Sequence, residues 1–293
     1  MRAGQRGAMR PRALPFSRRA DNAPARHRYP ASRIDWEGLL LCGSICSMTY
    51  CLGISLDQGL VFASDSRTHA GVDQISIYRK MHTFVWEGDC VFVLLGAGNL
   101  ATTQAVVRRL QHAIEHADTE ASLKTAQHAC EAATHVGRIN KEVQNYHHDM
   151  QQQTGINVEA SFIFGAQIRG EPPELFLIYP QGNFISVSPE NPFLQIGETK
   201  YGKPILDRVV HPKLPLEDAA RCALVSLDST MRSNLSVGPP IDLLVYERDS
   251  LRVKCEMRLE QDDDYLAALR TEWNDGLRRV FDDLPRLDWD KRC

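Results

Sequence analysis

Blocks of two-residue period and blocks of helical period follow one another along this chain. Residues 49–56, T-Y-C-L-G-I-S-L, read as a strand that ends at the turn Asp57-Gln58-Gly59. Residues 60–64 return as a second short strand, so the pair predicts a hairpin with a three-residue, glycine-containing turn. Residues 75–84 and 90–95 form another strand pair around Glu87-Gly88-Asp89. The period then changes. Leu100, Val106, Val107, Leu110 and Ile114 fall at helical spacing and predict a helix over 99–116. A longer one is predicted over 121–149, through Leu123, Ala126, Ala129, Cys130, Ala133, Val136 and Ile139. Strand patterns resume at 157–168, 174–179 and 183–187, broken by Pro172-Pro173 and by Gln181-Gly182. Helices follow at 203–210 and 216–233, then a strand at 241–246. A last helix spans 264–282, with Asp262–Asp264 supplying negative charge at its start. The tail around Trp289 is mostly polar and reads as loose.

The strands are clustered rather than alternating one-to-one with helices. That order favours an α+β arrangement of antiparallel sheets with helices packed on them over a doubly wound parallel sheet. No internal repeat is visible. With 293 residues, 43% of them hydrophobic, the chain is long enough for one large or two small domains with a packed core. A net charge of −3 argues against a general nucleic-acid binder. No apolar run approaches the roughly 18–20 residues that span a bilayer. The eight cysteines (42, 46, 51, 90, 130, 222, 255 and 293) are scattered, with no C-x-x-C pair. They read as reduced thiols of a cytoplasmic protein rather than a disulfide framework or a zinc site. No metal and no cofactor is expected. His147 and His148 are sequence neighbours pointing different ways on a helix, and His128 lies several turns away, so all three read as surface residues.

Residues 1–48 are compositionally different. They carry nine arginines against Asp21, Asp35 and Glu37, with little hydrophobic periodicity, and read as a disordered extension. The four-residue apolar run 39–42 is too short for a signal peptide. A cleaved propeptide is one alternative. The favoured expectation is that translation begins at Met48, with one domain over 49–285 and a loose tail over 286–293.

That expectation changes the chemistry available to Thr49. With Met48 removed, the hydroxyl of Thr49 sits beside a free α-amine, whose ordinary pKa lies near 7.7–8.0. The amine can then act as general base for its own Oγ. Such a site needs a nearby positive charge, a carboxylate to hold that charge, and N–H donors for an oxyanion. Asp65 lies at the end of the returning hairpin strand. Lys80 lies in the third strand run, in Y-R-K-M-H. The Gly96-Ala97-Gly98 cluster ends the fourth strand where a helix opens. Taken alone, Thr49 is a β-favouring residue at a strand start, Asp65 a turn residue, Lys80 a solvated strand lysine and the glycines helix punctuation. Cys51 shares a strand face with Thr49 and reads as a small buried side chain.

In combination, Thr49, D-S-R at 65–67, Lys80, G-N-L-A at 98–101 and S-V-G-P-P-I-D at 236–242 resemble the proteasome β-subunit family of N-terminal nucleophile hydrolases. I-G-E-T-K-Y-G-K-P at 196–204 and M-R-S-N-L-S-V-G-P-P-I-D-L at 231–243 are similar to its bacterial Anbu branch. The resemblance runs from Thr49 to about Glu247. It implies a four-layer αββα sandwich, Thr49 as nucleophile, Asp65 and Lys80 as its electrostatic support, Gly98 as the oxyanion N–H, and Ser236 as the serine that contacts the amine. Two positions depart from the wider family: Glu198 stands where a serine is expected, and Ser233 where an aspartate is expected. A glutamate near the amine raises its pKa and makes it a weaker base at neutral pH. Gly96 occupies the position that shapes specificity in the wider family, and a glycine there implies little side-chain selection.

The leading functional expectation is a threonine-type peptidase acting on peptides or unfolded proteins and assembled from copies of itself into a ring or spiral, with a regulatory partner open. An amidase acting on small amides is the runner-up. A proteasome-like particle with a weak or vestigial site is the non-enzyme alternative, motivated by Glu198 and Ser233.

Overall fold

The computed structural model describes residues 49–69, 75–115 and 122–289. The expectations for 1–48 and for the last four residues of the tail lie outside them. Strand β1 (Tyr50–Leu56) turns tightly into β2 (Gly59–Asp65), with Cys51 opposite Ser64 and Leu56 opposite Gly59. The rest of their sheet comes from far along the chain. Strand β10 (Phe193–Gly197) lies against β1. Strand β11 (Ile241–Glu247) pairs with β2, and β12 (Cys255–Leu259) closes the edge. The second sheet runs β5 (Met81–Trp86), β6 (Cys90–Gly98), β7 (Ala160–Ile168), β8 (Glu174–Ile178) and β9 (Phe184–Ser186). A small antiparallel pair, β3 (Arg67–His69) with β4 (Ile75–Ile77), stands apart. Among the described residues every strand pairing is antiparallel.

Strand side chains alternate between faces, and each central strand here is apolar on both. In β6, Phe92 and Leu94 face helices α1 (Leu100–Glu115) and α2 (Ala129–Thr154), while Val93 and Leu95 face the other sheet. In β1, Tyr50, Leu52 and Ile54 pack under helix α4 (Leu216–Ser233), with α3 (Lys203–Val209) and α5 (Asp264–Asp282) completing that layer. Cys51, Phe62, Val93, Leu95, Ile163 and Leu244 form the seam between the sheets. Three cores separate four layers, giving the αββα sandwich. Each large apolar side chain buried in them stabilises by roughly 1.5–3 kcal/mol.

Helices α3, α4 and α5 fall where the pattern predicts them. Two other spans are corrected. The expected strand at 75–84 is two strands, because the chain bends at Tyr78–Lys80. There the Tyr78 N–H donates to the Ser66 carbonyl (2.9 Å), and Lys80 turns its side chain toward Asp65. The expected helix at 121–149 opens as an isolated 3₁₀ turn, Leu123–Thr125. The Thr125 hydroxyl closes that turn on Ser122, and α2 starts afresh at Ala129 with the Glu131 carboxylate accepting from the Gln127 N–H. Strands β10 and β12 had no clear sequence signal. Both are edge strands with only partial burial, and their ladders depend on β1 and β11.

Candidate active site

Asp65 ends β2 beside the start of β1 and is fully buried. A carboxyl group in that position needs donors, since an unpaired buried charge is costly. Three are present. The Tyr50 N–H donates to Oδ1 at 3.0 Å, the Gly238 N–H to Oδ2 at 3.2 Å, and Lys80 Nζ to Oδ1 at 2.6 Å. Burial pushes the Asp65 carboxyl up, and these donors, Lys80 foremost, pull it back. Asp65 makes no donation in this set, which suits the ionised form. Lys80, also buried, donates as well to the Arg67 carbonyl at 2.7 Å. Lys80 immediately precedes β5 in one sheet and Asp65 ends β2 in the other, so the ion pair joins the two sheets at one end of the sandwich.

Thr49 precedes β1 and is 3% exposed. Its carbonyl accepts the Glu198 N–H at 2.7 Å. Gly197 makes this possible. It holds φ +85°, a left-handed conformation that side chains disfavour, and an added Cβ would collide with the Thr49 carbonyl. Gly98, at the end of β6, holds φ +117° for a similar reason, with the Glu159 carbonyl where its Cβ would be. The next residue, Asn99, caps α1 by accepting the Thr102 N–H (3.1 Å). Thr49, Lys80 and Gly98 line one cavity of about 300 Å³. Gly96 lines it too, and a Cβ there would press on Phe162 and Thr103.

A second set of polar residues meets Thr49 from the other side. Glu198 accepts from the Asn234 side-chain amide at 3.1 Å, and Asn234 Oδ1 accepts from both the Ser236 hydroxyl (2.6 Å) and the Ser236 N–H (3.1 Å). A chain of hydrogen bonds therefore links Thr49 through Glu198 and Asn234 to Ser236. Ser233 does not join it: it is exposed at the last position of α4. Asn234 was missed by sequence reasoning, which weighed the serines on either side of it. So was Arg67, whose guanidinium donates to the Leu235 carbonyl at 2.7 Å and packs where a side chain on Gly238 would otherwise go. The asparagine's position at the end of a helix, and the arginine of D-S-R, were the available signals. Cys51 is buried in the inter-sheet seam with its thiol directed at the Gly96 carbonyl (3.7 Å), and burial pushes that thiol up, so it behaves as packing. All five cysteines among the described residues are free thiols.

These positions arrange a threonine, a lysine held by a buried carboxylate and a glycine turn around one cavity. Comparison with known proteins bears on what such a site belongs to. The profile of the family described as proteasome subunit matches residues 48–245. Among solved structures, the helical assembly of the Anbu complex from Pseudomonas aeruginosa is 48% identical, covering 83% of this chain and 99% of that one, with a TM-score of 0.78. Anbu (ancestral beta-subunit) from Yersinia bercovieri is 45% identical over 82% of this chain and 100% of its own, with a TM-score of 0.77. A Gly-1 mutant of Anbu from Hyphomicrobium sp. strain MC1 is 47% identical over 82% and 99%, with a TM-score of 0.76. No curated protein matches.

Proposed function

This chain belongs to the proteasome subunit family, and from that premise we propose that it is a threonine-type peptidase whose nucleophile is the Thr49 hydroxyl. The α-amine of Thr49, free once Met48 is removed, takes the hydroxyl proton as Oγ attacks the scissile carbonyl. The oxyanion is met by the Gly98 N–H. Collapse breaks the C–N bond, the amine returns its proton to the leaving group, and an ester to Thr49 remains. Water, deprotonated by the same amine, hydrolyses that ester and restores the hydroxyl. Lys80 keeps the amine's proton affinity low through its positive charge, and Asp65 keeps Lys80 charged and in place. Glu198, Asn234 and Ser236 orient the first residue of the chain.

The observation that carries this reading is the Asp65 carboxylate. It accepts from the residue that follows Thr49, from Lys80 and from the 236–240 loop at once. A buried charge gathering three distant segments around the start of β1 is a costly arrangement for packing alone and a useful one for catalysis. Self-assembly belongs to the same reading, supported by the helical assembly of the Pseudomonas aeruginosa relative.

Intact mass of the purified protein tests the premise of a free amine: the expected chain starts at Thr49, and an active chain that retains residues 1–48 would overturn the mechanism. Hydrolysis of a panel of peptides and small amides, measured beside Thr49→Ala, tests the rest. Loss of peptide cleavage in the variant is the expected result. Cleavage of small amides alone would identify an amidase, and no turnover of either by the wild type would leave only an assembled particle.

A further inference from the structure

The cavity beside Thr49 carries a charge pattern that the proposed chemistry does not use. Arg79, Lys80 and Arg108 all line it, and among the described residues no aspartate or glutamate does. The three cations are not equivalent. Lys80 is neutralised by Asp65 at 2.6 Å. Arg79 shares its charge with Glu256 across 3.3 Å of largely exposed surface. Arg108, exposed on α1, has no ion pair among the described residues. His82, Gln104 and Gln111 add polar groups to the same wall. At about 300 Å³ the cavity has room for a side chain, and Gly96 forms its floor in close contact with Phe162 and Thr103.

We propose that this cavity receives an acidic side chain of the substrate, glutamate or aspartate, on the acyl side of the scissile bond, with Arg108 as the selecting charge and Arg79 reinforcing it. The proposal rests on the reading of Thr49 as nucleophile, since Thr49 lines the same cavity. A basic side chain meets like charge there, with no carboxylate among the described lining residues to offset it. An apolar one fits the volume but leaves the cations without a partner. Selection therefore comes from charge on the wall rather than from the shape of the Gly96 floor. Because Arg79 and Arg108 are exposed, the preference is modest and screened by salt.

Fluorescent peptides that differ only at the residue entering the cavity (glutamate, leucine or lysine) test this by anisotropy on purified Thr49→Ala protein. The glutamate peptide is expected to bind about ten-fold more tightly than the leucine peptide at low ionic strength, with the lysine peptide weakest and the gaps narrowing at high salt. Arg108→Glu should reverse the order and Arg108→Lys should keep it, with circular dichroism confirming that both fold. Leucine binding as tightly as glutamate, no binding of any peptide, or a preference indifferent to Arg108→Glu would overturn the proposal. Hydrolysis of the same peptides by protein that retains Thr49 separates the two readings. Cleavage after leucine but not glutamate upholds the peptidase and rejects the acidic preference. Selective glutamate binding without cleavage upholds the cavity assignment and rejects the peptidase.

Discussion

The Asp65–Lys80 pair sets the energetics of the site at the level of single residues. Both side chains are buried, so neither charge tolerates losing its partner. Asp65→Asn is expected to cost about 3–5 kcal/mol of stability, read from urea midpoints. Adding Lys80→Met should recover much of that while activity stays lost; a double variant no more stable than the single one would mean that the pair is not a closed unit. Two histidines give a pH dependence of known sign. Burial, helped by Arg79, lowers the His82 pKa, and burial, helped by Arg138, lowers that of His135. His135 Nε2 is buried without a hydrogen-bond partner, so a proton added to the ring gains no compensating acceptor there. Folded values below the unfolded ones mean that stability is intact above about pH 6.5 and falls as pH drops through the lowered folded values. The urea midpoint should decline on acidification over that window. The His82→Gln, His135→Gln double variant should show a shallower decline, and an unchanged slope would discount both groups.

Among the secondary-structure elements, the site depends on strand ends and turns held in conformations that their neighbours require. Gly197→Ala introduces a Cβ at φ +85° directly onto the Thr49 carbonyl. It is expected to abolish peptide cleavage and lower the melting temperature; a fully active, equally stable variant would show that the β10–β1 junction does not position Thr49. Helix α5 offers a quieter case far from the site. Asp263 caps it by accepting the Tyr265 and Leu266 N–H groups at 2.9 and 3.1 Å. Asp263→Ala should cost about 1 kcal/mol with unchanged cleavage, by chemical denaturation and assay in parallel. The same scale explains why α4 and α5 were readable in advance and β10 was not. A long amphipathic helix carries its own period, whereas an edge strand of five residues takes its identity from the strand beside it.

The whole molecule brings the remote pieces together. Lys80 reaches Asp65 only because two five-stranded sheets face each other, and that spacing depends on the seam of Phe62, Val93, Leu95, Ile163 and Leu244. Phe62 fills the space over Gly165, where any Cβ would collide with its ring. Phe62→Ala should cost about 3–5 kcal/mol. Activity should fall further than the folded fraction does, since loosening the seam loosens the ion pair; a loss of activity that merely tracks unfolding would rule that coupling out. Above the single chain, light scattering of the purified protein is expected to report assemblies of many copies, with a monomer at all concentrations the contrary result.

The block order of periods determined the clustered antiparallel fold, because hydrophobic alternation and helical spacing are local properties that survive without their partners. The order of Thr49, D-S-R, Lys80, the glycine cluster and S-V-G-P-P-I-D likewise made the membership of the proteasome subunit family legible. What the sequence could not decide was which polar side chains meet. Glu198 and Ser236 are joined by Asn234, marked in the sequence only by its place at a helix end, while Ser233, next to it in the chain, faces away into solvent. The bend that breaks the strand at 78–80 is set by Asp65 at the end of β2 and by Ser66 just after it. Hydrogen bonds of this kind depend on distances between side chains and loops that no local period encodes, and only the packed sandwich fixes those.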